Sequence, residues 1–338
     1  MEEHVSISKN VLLICGGDST EHEISLLSAD FILSKLEKLP NITPYYLKIQ
    51  KDGKRVNLQN HDCELRKSGE VFNKSTNSIT KLHYAIPCIH GPPGENGQIQ
   101  AVFEMMGLPF LGAGSEASTI CFNKLTTKLW LENIGVPTTP FVSLHDLSSE
   151  SLEKAKSFFK SSGENVFVKA SSQGSSIGCY QVTAQESLEN KIEEAFKYSP
   201  FVLIEKTLNG RELEVAAFQY EDNFHVSYPG EIVCPQGFYD FSQKYSEKSD
   251  TKTIVKTENL SSETISTIKD YSCKAFKGLK LKDLARIDFF LTEEKELFIN
   301  EINTFPGHTS ISMFPMMMKE AGVSYEDFLT DRLKSARD

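Results

Sequence analysis

The chain lacks most of the features that would place it in a specialised class. No uninterrupted apolar run approaches the roughly 20 residues a membrane-spanning helix needs, so a membrane role is not expected. Its seven cysteines, at positions 15, 63, 88, 121, 179, 234 and 273, are odd in number and never spaced C-x-x-C, which argues against a disulfide framework and a zinc site. Basic residues are outnumbered by acidic ones, 36 to 46. A net charge of -10 disfavours nonspecific nucleic-acid binding. The start, Met1-Glu2-Glu3-His4, is acidic where a signal peptide would be basic, and a cytoplasmic protein is expected. No G-x-x-x-x-G-K-[ST] occurs, so no Walker A loop is present.

What remains is an ordinary composition: 338 residues, 39% apolar and 24% charged, enough for two or three domains with a substantial core. The most informative stretch runs from Ala285 to Ser312. Two apolar segments flank the charged Thr-Glu-Glu-Lys-Glu and read as a β-hairpin. With the turn between Glu294 and Lys295, Asp288 falls opposite Glu301 and Arg286 opposite Asn303. Period two then puts these four on one face with Phe290, Leu297 and Ile299, and puts Ile287, Phe289, Leu291, Phe298 and Ile302 on the other. Opposed carboxylates between two apolar faces repel unless a hard cation relieves them. An all-oxygen set of Asp, Glu and Asn suits magnesium shared with phosphates. The alternative is an exposed hairpin with solvated charges.

Earlier in the chain, Val11 to Cys15, Gly16-Gly17 and the periodic apolar residues from Ile24 to Leu36 predict a strand, a glycine turn and a capped helix. Such a turn is where open α/β sheets bind ligands, and the helix N-terminus attracts anions. Glu21 there is either a ligand-binding group or a carboxylate favoured by the helix dipole. A second strand, Ala85 to Ile89, ends in His90-Gly91-Pro92-Pro93-Gly94-Glu95-Asn96-Gly97, and a helix follows over about 99–106. This alternation predicts a largely parallel sheet. Gly112-Ala113-Gly114-Ser115-Glu116-Ala117 matches a dinucleotide fingerprint in letters, but no acidic-ended strand follows at the required distance.

Lys124 and Lys128 lie on a helix reaching about Gly135, and Val136-Pro137-Thr138-Thr139-Pro140 marks a domain entry. The strand Val166-Phe167-Val168-Lys169 opens into a serine-glycine loop, Ala170 to Gly178, rich in N–H and hydroxyl donors for phosphate oxygens; such a loop by itself can equally be a plain hairpin connection. Strands are expected over 202–206 and from Gly210, and helices over 262–276 and 325–333. Between Pro229 and about Lys252 no pattern is visible, which suggests a long lid loop.

In order along nearly the whole chain, these segments resemble the ATP-grasp superfamily and, within it, the D-alanine–D-alanine ligases. The resemblance rests on Gly16 to Ser25, His90 to Gly97, Lys169 to Gly178, Gly210-Arg211-Glu212, Tyr239-Asp240 with Lys244-Tyr245, Arg286-Ile287-Asp288, and Asn300 to Thr304 with Pro306-Gly307. It implies an α/β, ATP-grasp fold of three α/β domains: 1–117 for substrate, 118–208 central, and 209–338 C-terminal with the lid. It further implies a homodimer making D-alanyl-D-alanine for peptidoglycan from two D-alanine molecules and ATP, through an acyl phosphate, with two Mg2+ ions that Mn2+ can replace.

By position, the resemblance makes Asp288, Glu301 and Asn303 the metal ligands, and Arg286 with the Gly307 N–H the stabilisers of developing negative charge. It assigns Lys124, Lys169 and the lid's Lys244 to ATP phosphates, and Glu205, Lys206, Leu208 and Glu212 to the adenine hinge and ribose. Glu21, with His90 nearby, would take the first D-alanine, and Ser312 the carboxylate of the second. Ser175 and Tyr245 would link phosphate loop, lid and first domain through Glu21. Tyr245 favours an amine over D-lactate as second substrate. Ala170 departs from the usual proline and Asn96 from the common aspartate. A sister ligase using D-serine or D-lactate, and a catalytically silent binding protein, stay open as other readings.

Overall fold

The computed structural model describes residues 8–233 and 251–336, and its sheets fall into three large groups plus one small one. The first is a four-stranded sheet in which Lys9–Gly16 pairs in parallel with both Ile42–Ile49 and Tyr84–Cys88. The run Val11 to Cys15 is apolar throughout because both faces of this strand are covered. Val11, Leu13 and Cys15 enter one core while Leu12 and Ile14 enter another. The first of these cores also contains Phe218, Leu284, Met317 and Phe328, so the beginning and end of the chain are packed together. A three-stranded sheet, Cys63–Arg66, Glu70–Asn73 and Ser78–Lys81, has no counterpart in the sequence reading. Its strands are only four residues long, too short for alternation to register.

The second large sheet is antiparallel, in the order Cys179–Val182, Val166–Ala170, Val202–Lys206, Phe141–Leu144. Val166, Val168, Val202 and Ile204 bury one face against the helices Ser149–Ser161 and Gln185–Phe196, through residues such as Phe159 and Ile192. Alternation then gives Phe167, Lys169 and Glu205 to the opposite face, which lines the cavity described below. Here the expected strands at 166–169 and 202–206 occur almost residue for residue.

The third sheet has six strands. Gly210–Tyr220 lies at its centre between Leu284–Thr292 and Gly230–Val233, with Leu297–Asn303 and Lys252–Ile254 beyond them and Asn223–Val226 pairing with Gly210–Tyr220. Helix Ser262–Gly278 covers one face, packing Ile268, Ala275 and Phe276 with Val215, Ile287 and Phe289. Glu212, Glu214, Arg286 and Asp288 project from the other face toward the second sheet and line the same cavity. The unpatterned stretch at 229–252 differs from expectation at its ends. Gly230–Val233 and Lys252–Ile254 are paired antiparallel strands. Both are too short to show a period, and residues 234–250, including Lys244 and Tyr245, lie outside the described residues.

Among the described residues no helix is long and apolar enough to cross a membrane, and Cys15, Cys63, Cys88, Cys121, Cys179 and Cys273 are free thiols.

Candidate functional site

The hairpin pairs Arg286 with Asn303 and Asp288 with Glu301, as its sequence suggests. Between Asp288 and Phe289 the register shifts, and Phe289 pairs with Ile299. This irregularity overturns the expected faces: Leu297 and Ile299 join Ile287 and Phe289 in the helix-covered core, and Phe298 lies across from Phe290. An extra residue at the bulge reverses the alternation beyond it, which strict period-two counting cannot anticipate. The bulge turns Asn300 as well as Glu301 and Asn303 toward the cavity.

Arg286 grips Asp288 with two bonds, Nε to Oδ1 and Nη2 to Oδ2, each 2.7 Å, and its Nε lies 3.4 Å from Glu214. Burial opposes the guanidinium charge, but Asp288 and Glu214 outweigh it and hold the pKa well above its ordinary value. Glu214 faces Asp288 across the neighbouring strand. It went unnoticed in the sequence although it lies two residues after Glu212, a spacing that puts both on one face. The Asn303 amide donates to Asp288 Oδ2 at 3.1 Å, and Glu301 Oε2 lies 3.4 Å from Lys124.

The oxygens of Asp288, Glu301 and Asn303 thus share one end of the cavity. Among the described residues no three His, Cys, Asp or Glu side chains form a metal cage. An incomplete all-oxygen set fits magnesium, which keeps waters and takes phosphate oxygens rather than a full protein cage.

Across the cavity, Lys169 Nζ donates to Glu205 Oε2 at 2.8 Å, and Lys128 Nζ lies 3.2 Å from Glu205 Oε1. Burial would keep Glu205 protonated, but the two lysines hold its pKa below the ordinary glutamate value. Burial likewise works against the charge on Lys169, and Glu205 raises its pKa above the usual range. Lys124 starts the helix Lys124–Asn133, capped by Asn123, and its Nζ donates to the Gln173 carbonyl at 2.7 Å. The phosphate-binding candidates Lys124 and Lys169 are therefore brought to one cavity from separate elements.

The serine-glycine loop carries two consecutive non-glycine residues at positive φ, Ser175 at 50° and Ser176 at 59°. Such conformations cost about 1 kcal/mol each and persist where the surroundings impose them. Here Ser175 Oγ donates to the Glu21 carboxylate. Gly178, at φ 66°, has no room for a side chain: a Cβ would come within 2.8 Å of the Ala170 Cβ. The Ala170 N–H donates to the Gly178 carbonyl at 2.8 Å, a bond that a proline at this position could not make.

Helix His22–Leu36 begins at Glu21 without the expected side-chain cap; Ser19 Oγ instead accepts the Glu21 N–H at 3.2 Å and donates to the His90 carbonyl. His90 is buried, with Nε2 3.0 Å from Ser28 Oγ and Nδ1 3.4 Å from Glu95 Oε1. The His308 N–H donates to the same Ser28 hydroxyl at 3.2 Å, which ties the loop after Gly307 to the first helix. Ser312 Oγ accepts the Thr309 N–H at 3.0 Å and lies 3.3 Å from where a Gly307 Cβ would sit.

All described candidates, including Lys206, Leu208 and Glu212, line one cavity of about 1020 Å³. That volume suits a nucleotide with a second small molecule. The glycines of the dinucleotide-like match are engaged elsewhere, since the Gly112 N–H donates to Asp283 Oδ2 at 2.9 Å.

Comparisons with known proteins agree with this geometry. The family model "D-ala D-ala ligase N-terminus" matches residues 10–113, and "D-ala D-ala ligase C-terminus" matches residues 130–334. A D-alanine–D-alanine ligase of Shewanella halifaxensis is 44% identical over 327 residues, covering 96% of this chain and 98% of that one. The solved D-alanyl-alanine synthetase A of Vibrio cholerae is 40% identical with a TM-score of 0.91, over 97% and 98% of the two chains. The VanG D-Ala:D-Ser ligase of Enterococcus faecalis is 26% identical with a TM-score of 0.85, over 97% and 99%. Two sheets facing each other across the cavity make this an ATP-grasp fold. Matched over both halves of its length by family models and at full length by close relatives, the chain belongs to the D-alanine–D-alanine ligase family.

Proposed function

We propose that the chain joins two D-alanine molecules to D-alanyl-D-alanine with conversion of ATP to ADP and phosphate, for peptidoglycan precursor synthesis. The observation that carries this reading is the convergence, in one cavity, of the lysines Lys124 and Lys169, the oxygen set of Asp288, Glu301 and Asn303, and the Glu21–Ser175 pair. Polyphosphate, hard cation and amino-acid ammonium each find a matching group there.

A carboxylate oxygen of the first D-alanine attacks the γ-phosphorus of ATP, ADP leaves, and an acyl phosphate forms. The amine of the second D-alanine attacks the acyl carbon, the tetrahedral intermediate collapses, and phosphate departs as the amide forms with loss of the ammonium protons. Arg286 meets the negative charge of both steps, with the Gly307 N–H as a second donor. Fixed donors of this kind do most when aimed at developing charge. Lys124 and Lys169 hold the phosphates, joined by Lys244 of the lid; Glu205, Lys206, Leu208 and Glu212 hold adenine and ribose. Glu21, oriented by Ser175 and with His90 behind it, takes the first ammonium; Ser312 takes the second carboxylate. Tyr245, outside the described residues, would join the lid to Ser175 and Glu21 as the resemblance implies. Asp288, Glu301 and Asn303 would hold two magnesium ions, replaceable by manganese, which would supply neutralisation of the phosphate charge.

The reading extends to a cytoplasmic homodimer of three-domain protomers, divided near residues 117 and 208. The deciding experiment is magnesium-dependent phosphate release from ATP with D-alanine, L-alanine, or D-alanine plus excess D-serine or D-lactate, with products identified by mass. D-Alanyl-D-alanine matched to phosphate supports the reading. A mixed product moves it to a sister ligase, and no turnover with any substrate defeats it.

A further inference from the structure

Lys128 has no role in the assignments above, yet among the described residues it is a fully buried charge beside the cavity-lining Glu205. Its side chain is 1% exposed and lies one helical turn beyond Lys124. Its ammonium donates to Thr138 Oγ1 at 2.8 Å, reaches the Thr139 carbonyl at 3.4 Å and lies 3.2 Å from Glu205 Oε1. Two hydrogen bonds and one ion pair, all to buried groups, hold the side chain in place.

The consequence for its neighbours is electrostatic. Glu205 offers one oxygen to Lys128 and the other to Lys169, so a single carboxylate is shared by two ammonium groups and one positive charge stays in excess. Without Lys128, Glu205 and Lys169 would form a closed pair with no net charge toward the cavity. A buried triad of this kind is no better for stability than well-packed apolar side chains, so stability alone gives no reason for it. Thr138 extends the connection: its hydroxyl donates to the Ile299 carbonyl at 3.1 Å, next to the bulge that turns Glu301 into the cavity.

We infer that Lys128 is a positioning residue for the nucleotide: by sharing Glu205 it leaves the Lys169 charge available to the phosphates, and through Thr138 it fixes the Glu205 strand relative to the hairpin. The inference rests on the ATP-dependent ligase reading.

The test compares the wild type with Lys128→Met and Lys128→Arg. Binding of AMP-PNP with magnesium is measured by calorimetry, and KM is measured separately for ATP and for D-alanine. Lys128→Met should weaken AMP-PNP binding and raise the KM for ATP by roughly tenfold, the worth of a charge-assisted hydrogen bond. The KM for D-alanine should hold, and Lys128→Arg should recover most of the loss. A folded Lys128→Met protein with wild-type AMP-PNP affinity, or with both KM values raised alike, would overturn the inference. If that variant does not fold, Thr138→Val removes the hydroxyl with little change of shape. It should weaken AMP-PNP binding in the same direction, and unchanged affinity would again overturn the inference. Failure of the wild type itself to bind AMP-PNP would defeat the ligase reading and this one with it.

Discussion

The Ser175 hydroxyl donates to the Glu21 carboxylate across 154 residues of chain, joining the phosphate loop to the start of the first helix. The bond orients a carboxylate that is also the proposed seat of the first D-alanine ammonium. Glu21→Gln should therefore raise the KM for D-alanine by roughly tenfold or more, because a charge-assisted bond to the ammonium is lost. Ser175→Ala should raise it less, since the charge survives and only its orientation is lost. Initial rates at varied D-alanine and saturating ATP check both. An effect confined to the KM for ATP would remove the pair from amino-acid binding.

Arg286 is held by Asp288 and Glu214 at the foot of the hairpin. Arg286→Ala removes the cation proposed to meet the charge of both transition states, and turnover should fall by roughly a thousandfold. Binding of an ATP analogue should persist, because Lys124 and Lys169 are untouched. The variant should also lose about 3 kcal/mol of stability, since two poorly exposed carboxylates lose their counter-ion. Single-turnover phosphate release and thermal melts read the two effects separately, and near-normal turnover would take Arg286 out of the mechanism.

The parts of the fold and site legible in the sequence were those with a strong local signal. The hairpin pairing of Asp288 with Glu301, the strand ending at Lys169 and the glycine turn before Glu21 all show period, turn chemistry or charge placement in adjacent residues. What escaped depends on distant elements or on small irregularities. The bulge before Phe289 adds one residue and sends Leu297 and Ile299 to the opposite face. The short strands Gly230–Val233 and Lys252–Ile254 are fixed by their partners in the sheet. Lys128 looks like any helical lysine until Glu205 and Thr138 arrive from other segments. Local pattern fixes what a residue is near in sequence; the shared carboxylate of Glu205 is a property of tertiary packing alone.

The two carboxylates on the hairpin give a metal prediction. Glu301→Gln keeps the shape but halves the formal charge that Asp288 and Glu301 jointly offer a hard cation. The magnesium concentration giving half-maximal phosphate release should rise by roughly tenfold, and a chelator should abolish the wild-type reaction. A magnesium titration of both proteins at fixed ATP is sufficient. An unchanged midpoint would exclude Glu301 as a ligand.

His308 makes the pH dependence of stability testable. The ring is fully buried among Phe305, Phe314 and Tyr325, whose hydroxyl lies 3.3 Å from Nδ1. Burial, reinforced by the nearby His90, lowers its pKa from the ordinary 6.5 to about 3. The folded state therefore keeps His308 neutral while the unfolded chain takes up a proton below pH 6.5. Stability is full above 6.5 and should fall by about 1.4 kcal/mol per pH unit once the pH is well below it, levelling off near 3. Carboxylates begin to titrate nearer 4, so the interval from 6.5 to 4.5 separates histidines from carboxylates, and comparison with His308→Gln singles out His308 among the eight histidines. Denaturant unfolding across that interval should show a clear slope in the wild type and a shallower one in His308→Gln. Equal slopes in the two proteins would mean that His308 is not the group whose protonation unfolding admits.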